Sequence, residues 1–113
     1  MYFVEKRVKE FRDRLDDSGN EILFIILEFD NERRLKKFSL NLTTTICGKR
    51  FGVARYDCGH GYLHMHRFYR KPYTKELVHK EVSMQTVKEL RKEMAQNWET
   101  WKKAFLENYG GTI

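Results

Sequence analysis

Glu21-Ile22-Leu23-Phe24-Ile25-Ile26-Leu27-Glu28-Phe29 is the stretch on which the fold turns. Its unbroken apolar run, Ile22 to Leu27, is too short for a bilayer span and too rich in isoleucine and phenylalanine to favour a helix. Asp16-Asp17-Ser18-Gly19-Asn20 precedes it and Asp30-Asn31-Glu32 follows it, and both are turn sequences. Bounded in this way, residues 21–29 read as a β-strand. A strand apolar on both faces is expected to lie centrally in a sheet, or to offer one face to a partner.

Toward the N-terminus the pattern divides. Val4, Val8, Phe11 and Leu15 fall at helical spacing, with Glu5/Lys9 and Glu10/Arg14 as supporting pairs. Phe11-Arg12-Asp13-Arg14-Leu15 also alternates, and the turn that leads into the strand favours a hairpin with a strand near residues 8–15. Toward the C-terminus, Leu35 to Leu42 places Phe38, Leu40 and Leu42 on one face and Lys37, Ser39 and Asn41 on the other, and Thr43-Thr44-Thr45 prolongs it. Gly48-Lys49-Arg50 reads as the next turn. Phe51 to Asp57 and Tyr62 to Tyr69 read as two further strands joined through Cys58-Gly59-His60-Gly61, and Arg70 to Val82 as a basic connection containing Pro72.

Ser83, or Thr86 with Glu89 as its box partner, can cap a helix. Val87, Leu90, Met94, Trp98, Trp101 and Phe105 then mark one continuous stripe that ends at Gly110-Gly111. That period belongs to a core-facing helix rather than to a ligand box. The fold class is therefore α+β: one domain over residues 1–113, an antiparallel β-meander of four to five strands packed against one long C-terminal helix.

With 113 residues, 13.7 kDa and 41% apolar content, the chain can bury a core without staples. Cys47 and Cys58 make no disulfide framework and are expected as reduced thiols. Met1 to Glu10 carries no apolar signal segment. A cytoplasmic protein with no membrane contact is the expectation. The net charge is +6, from 22 Lys+Arg against 16 Asp+Glu. Between Arg55 and Lys80, Arg55, Arg67, Arg70, Lys71, Lys75 and Lys80 are opposed only by Asp57 and Glu76, and all four histidines lie in that window. Such a balance favours polyanionic partners, RNA among them.

The chemistry concentrates in Arg55-Tyr56-Asp57-Cys58-Gly59-His60-Gly61-Tyr62-Leu63-His64-Met65-His66. If residues 58–61 form a four-residue loop, Asp57 faces Tyr62, Arg55 faces His64, and Arg55, Asp57, His64 and His66 share one sheet face. In any register His64 and His66 stay together, two apart on a strand, while His60 sits on the loop. Three readings compete. In the first, His64 and His66, with His60 nearby, are acid and base on a phosphodiester. Arg55 is then the phosphate ligand, and Asp57 orients a histidine or holds the turn. Arg67, Tyr69, Arg70 and Lys71 are then candidates for substrate binding, because Arg67-Phe68-Tyr69-Arg70-Lys71-Pro72-Tyr73 interleaves bases and aromatics that can grip a backbone and stack a base. No cofactor is needed for that chemistry. In the second, His60, His64 and His66, with Cys58 or Asp57, hold a divalent transition metal, although the spacing matches no common zinc module. In the third, the histidines decorate a strand, and the protein is a non-catalytic interaction or assembly module, a homodimer through its sheet or helix.

At this hairpin the chain resembles the TumE-type toxins of prokaryotic toxin–antitoxin pairs through Arg55-Tyr56-Asp57, His60 and His64-Met65-His66. It is also similar to a small group of uncharacterised prokaryotic proteins that carry an acidic-Gly turn, an Arg-Tyr-Asp…His-Gly segment and an Asn-Trp-Glu helix. The counterparts here are Asp16 to Gly19, Arg55 to Gly61, and Asn97-Trp98-Glu99. The toxin pattern is departed from just after Asp57, where Cys58-Gly59 replaces an Asn-Ala-like pair. The resemblance implies a toxin-like protein that acts on or binds RNA and has a cognate antitoxin as partner.

Overall fold

A computed structural model of the chain describes residues 7–110, apart from the side chain of His60. Six strands run in simple meander order: β1 (Arg7–Arg14), β2 (Ile22–Phe29), β3 (Leu35–Ile46), β4 (Lys49–Asp57), β5 (His64–Arg67) and β6 (Thr74–Leu77). All neighbours pair antiparallel. One helix, α1 (Met84–Tyr109), follows and covers one face of the sheet. The α+β class and the single helix hold, and the strand count rises from four or five to six. The added strand is β6, which lies within the segment that reads as a basic connection. Thr74-Lys75-Glu76-Leu77 is mostly exposed, has no apolar alternation, and occupies the edge of the sheet, so only its pairing reveals it.

Residues 2–15 resolve as strand from Arg7 onward; Val4 and Glu5 lie outside the described residues. The Asp16–Asn20 turn that feeds β2 is knotted by its first aspartate. Asp16 Oδ1 accepts from the backbone N–H groups of Gly19 and Glu21, both at 3.1 Å, and Gly19 takes φ +77°. The β3–β4 turn lies at Cys47-Gly48 rather than at Gly48-Lys49-Arg50. Both of its residues have positive φ (51° and 78°), and Ile46 pairs with Lys49 across it. This is the two-residue hairpin turn whose twist matches that of its strands.

The core lies between the sheet and α1. Leu23, Ile25 and Leu27 of β2, Phe38, Leu40 and Leu42 of β3, Ala54 and Tyr56 of β4, and Met65 of β5 meet Val87, Leu90, Met94, Trp101 and Phe105 of the helix. Ser83 is the N-cap: its Oγ accepts from the Thr86 N–H at 3.2 Å. Gly110 caps the other end in right-handed geometry, and Gly111 lies outside the described residues.

Burial of β2 on both faces is not observed. Its second face, Ile22, Phe24 and Ile26, has no covering layer among the described residues. Ile26 stands 40% exposed, and Phe24 is roofed only by the guanidinium groups of Arg12 and Arg50, at 5.3 and 5.6 Å from its ring centre. The sheet thus has one covered face and one open face, and the chemistry lies on the open one.

Candidate functional site

A β-bulge decides which side chains reach the open face. From the Cys47-Gly48 turn, pairing runs Ile46–Lys49, Thr45–Arg50, Thr44–Phe51, Thr43–Gly52, and then resumes as Leu42–Ala54. Val53 is the extra residue. Had pairing continued unbroken, Arg55 would oppose Leu40 and point into the core. The bulge shifts alternation by one, so Arg55 opposes Asn41 and Asp57 opposes Ser39. The Val53 carbonyl also accepts from the Tyr69 N–H at 3.1 Å, which ties the bulge to the turn between β5 and β6.

Across the hairpin, Arg55 pairs with His66 and Asp57 with His64. The connection is therefore six residues, 58–63, rather than four, with a 3-10 turn at Gly59–Gly61. The pairing slides by two residues from the expected register. A slip of two preserves faces, so Arg55, Asp57, His64 and His66 share the open face as they would with the shorter loop. Two rows of side chains then cross the sheet. One runs Arg12, Phe24, Asn41, Arg55, His66, Lys75; the other runs Glu10, Ile26, Ser39, Asp57, His64, Leu77.

Asp57 is the hub. Its Oδ2 accepts from Arg55 Nε at 2.9 Å and lies 3.3 Å from His66 Nε2, while its Oδ1 accepts from the Gly59 N–H at 3.0 Å. Partial burial pushes its carboxyl up, but the Gly59 N–H, the Arg55 guanidinium and His66 outweigh that and hold it below the ordinary carboxylate range. His66 is 7% exposed and engaged at both nitrogens: Nε2 faces Asp57, and Nδ1 lies 2.5 Å from the Tyr73 hydroxyl. Burial lowers its pKa; Asp57 opposes the shift, and Arg55, Lys75 and His64 add to it. A neutral imidazole accepts from Tyr73 at Nδ1 and turns its Nε2 proton toward Asp57, 3.3 Å away.

This neutral state has a measurable consequence. His66 should titrate below the ordinary imidazole value of 6.5. As pH falls from above 6.5 toward the lower folded value, the unfolded chain binds more protons than the folded one, so stability falls across that window. An NMR titration of the imidazole Cε1 protons is expected to give His66 a midpoint under 6.5; a midpoint at or above it would contradict a buried His66 held neutral.

His64 is different. Its ring centre lies 6.5 Å from that of His66 and 6.2 Å, edge-on, from that of Tyr62, and it has no hydrogen bond among the described residues. It borders an open depression of about 530 Å³ whose wall also includes Lys37, Arg55, Asp57, Gly59, His66 and Lys75. Glu28 holds Lys37 at 3.1 Å and Asp57 holds Arg55, so three cations stand against two carboxylates and the hollow keeps a net positive charge that attracts anions. Cys58 contributes to the wall, but burial pushes its thiol up, away from the reactive thiolate.

The other expected site residues lie elsewhere. Arg67 faces the helix side, donating to Glu76 Oε1 at 2.9 Å and to the Tyr69 hydroxyl at 2.7 Å. Tyr69 is buried, its ring near-parallel to that of Trp101 at 5.4 Å. Arg70 joins Glu76 at 3.4 Å, and Lys71 lies over Tyr109. These four form a cluster on the covered side and do not meet the histidines. His60 is on the 3-10 turn by its backbone, and its side chain lies outside the described residues. No group of three or more His, Cys, Asp or Glu stands ready for a metal among the described residues. Lys37 and Lys75 line the hollow without being among the expected site residues, and Phe68 and Tyr73 enter the sequence reading only as part of the aromatic–basic run. Tyr73 was visible beside Pro72 in the aromatic–basic run, but its position opposite His66 depends on the chain turning back into β6.

The profile of a domain of unknown function, DUF7718, matches residues 6–111. The chain belongs to this family. The DUF7718 match runs from the start of β1 through the end of α1, so the bulge, the hub aspartate and the whole depression fall within it. No curated protein and no solved structure matches the chain. No helix among the described residues is long and apolar enough to cross a membrane.

Proposed function

We propose that the open face binds RNA at a phosphodiester and cleaves it by metal-independent acid–base chemistry, as a toxin-like protein of the cytosol with a cognate antitoxin as partner. The observation that carries this reading is the Tyr73–His66–Asp57 chain standing beside His64 in a hollow rimmed by Arg55, Lys37 and Lys75. Arg55 and the lysines hold the phosphate. Neutral His66 is the base and works through the hydroxyl that caps it: Tyr73 passes its proton to Nδ1 and takes the proton of the ribose 2′-hydroxyl. The 2′-oxygen then bonds to phosphorus and the bond to the 5′-oxygen breaks. Protonated His64 gives its proton to the departing oxygen. The products are a 2′,3′-cyclic phosphate and a 5′-hydroxyl, and no metal or external water is consumed in that step.

Purified protein incubated with total RNA in the presence of a chelator is expected to yield fragments with those ends. Absence of cleavage at every protein concentration would overturn the reading, as would RNA binding indifferent to salt, because phosphate contacts release counterions. A second reading, a non-catalytic module that assembles with a second copy, draws on Val8 and Ile26, which stand 47% and 40% exposed on β1 and β2. Light scattering separates them: a dimer that binds no RNA favours assembly.

A further inference from the structure

We infer that Phe68 and Tyr73 form a shelf for one unpaired nucleobase, placed directly beside the phosphate hollow; this rests on the reading above that RNA is the ligand. The two rings lie within 10° of parallel with centres 5.3 Å apart, and His66 is within 16° of both, at 5.6 and 5.9 Å. The hydrogen bond from Tyr73 to His66 Nδ1 joins two of the three rings. Arg55, which reaches into the hollow, places its guanidinium over the Phe68 ring at 5.6 Å from its centre, so half-buried Phe68 backs the shelf and the exposed Tyr73 ring is its open surface. One edge of the aromatic cluster is therefore a wall of the anion site, and a nucleotide whose phosphate meets Arg55 has its base within reach of the rings.

Among the described residues outside this cluster, Phe24 lies under two guanidinium groups, and Tyr62, 62% exposed, meets His64 edge-on rather than in a parallel stack. Tyr69 is buried against Trp101, and Phe51, Phe105 and Tyr109 pack at the helix. Tyr73 is 47% exposed, so its ring retains open surface. A base already paired within a duplex presents only its edges, so the shelf selects single strands. Every base has a π face, so contact with the rings confers little sequence preference.

Fluorescence anisotropy with a short 2′-O-methyl oligonucleotide, which cannot be cleaved, tests this against an abasic strand of equal length and charge. The wild-type protein should bind the base-bearing strand about tenfold more tightly. Phe68→Leu should abolish that preference without changing the salt dependence, and Phe68→Trp should keep it. Equal wild-type affinity for the two strands would overturn the shelf without recourse to any variant, as would a Phe68→Leu protein that retains the preference. The two readings fail separately. A base preference without cleavage of ordinary RNA removes the catalytic step and leaves the shelf, whereas cleavage without a base preference removes the shelf and leaves the catalysis.

Discussion

Replacing His64 with alanine is expected to slow RNA cleavage about 10²–10⁴-fold, the range for loss of a positioned acid or base. His64 faces the hollow and has no hydrogen-bonding partner among the described residues, so its loss should leave the fold and RNA affinity nearly unchanged. His66→Ala should slow cleavage as much and also loosen Tyr73 and Asp57, which lose their shared partner. Tyr73→Phe is the sharper probe. It keeps the ring on the shelf and removes only the hydroxyl through which His66 exchanges its proton, so binding should persist while the rate drops. The three losses should combine far less than multiplicatively, because the groups act as one unit.

The pH profile gives an independent readout. A base works when unprotonated, and His66 is held below the ordinary imidazole range. Activity should therefore survive acidification past 6.5 before it falls. Asp57 is the neighbour that draws the His66 pKa upward, so Asp57→Asn should move that acidic limb to still lower pH, apart from any loss of rate through misorientation. Cleavage by His64→Ala equal to that of wild type would remove His64 from the mechanism; an acidic limb at or above the ordinary histidine value would remove His66.

The sequence made the covered face legible and half of the open one. Phe38, Leu40 and Leu42, and the helical stripe from Val87 to Phe105, bury as their periods require, because each period fixes a face whatever the neighbours do. His64 and His66 share a face for the same reason. What alternation cannot supply is phase across a bulge. Val53 and Ala54 are both apolar and both buried, so nothing in Phe51-Gly52-Val53-Ala54-Arg55 marks which residue is the extra one. Yet that residue turns Arg55 and Asp57 out of the core. The hairpin loop was two residues longer than expected, and parity made the error harmless. Arg67, Tyr69, Arg70 and Lys71 lie apart from the histidines for a related reason. Sequence proximity to the histidines ignores that Arg67, one position beyond His66, points to the other face and finds Glu76 there.

Substituting methionine for Lys102 is expected to cost about 3–5 kcal/mol, a large fraction of the roughly 5–15 kcal/mol that holds a domain of this size. Glu21, at the entrance to β2, is 1% exposed and accepts from Thr44 Oγ1 of β3 at 2.7 Å and from Lys102 Nζ of α1. It thus pins the helix to two strands through one carboxylate. Removing Lys102 leaves that charge buried with a single neutral donor, and its desolvation is no longer offset. Removing the other charge is not equivalent. In Glu21→Gln the amide oxygen still accepts from Thr44, and Lys102, whose side chain is 30% exposed, can turn toward water, so the loss should be nearer 1 kcal/mol. The double variant Glu21→Gln/Lys102→Met should therefore be more stable than Lys102→Met alone, with most of the deficit recovered. Urea denaturation of the four proteins measures the cycle. A Lys102→Met loss no larger than that of Glu21→Gln would mean that Lys102 does not hold the buried carboxylate, and the link between α1 and the start of β2 would then rest on Trp101 and Phe105 packing instead.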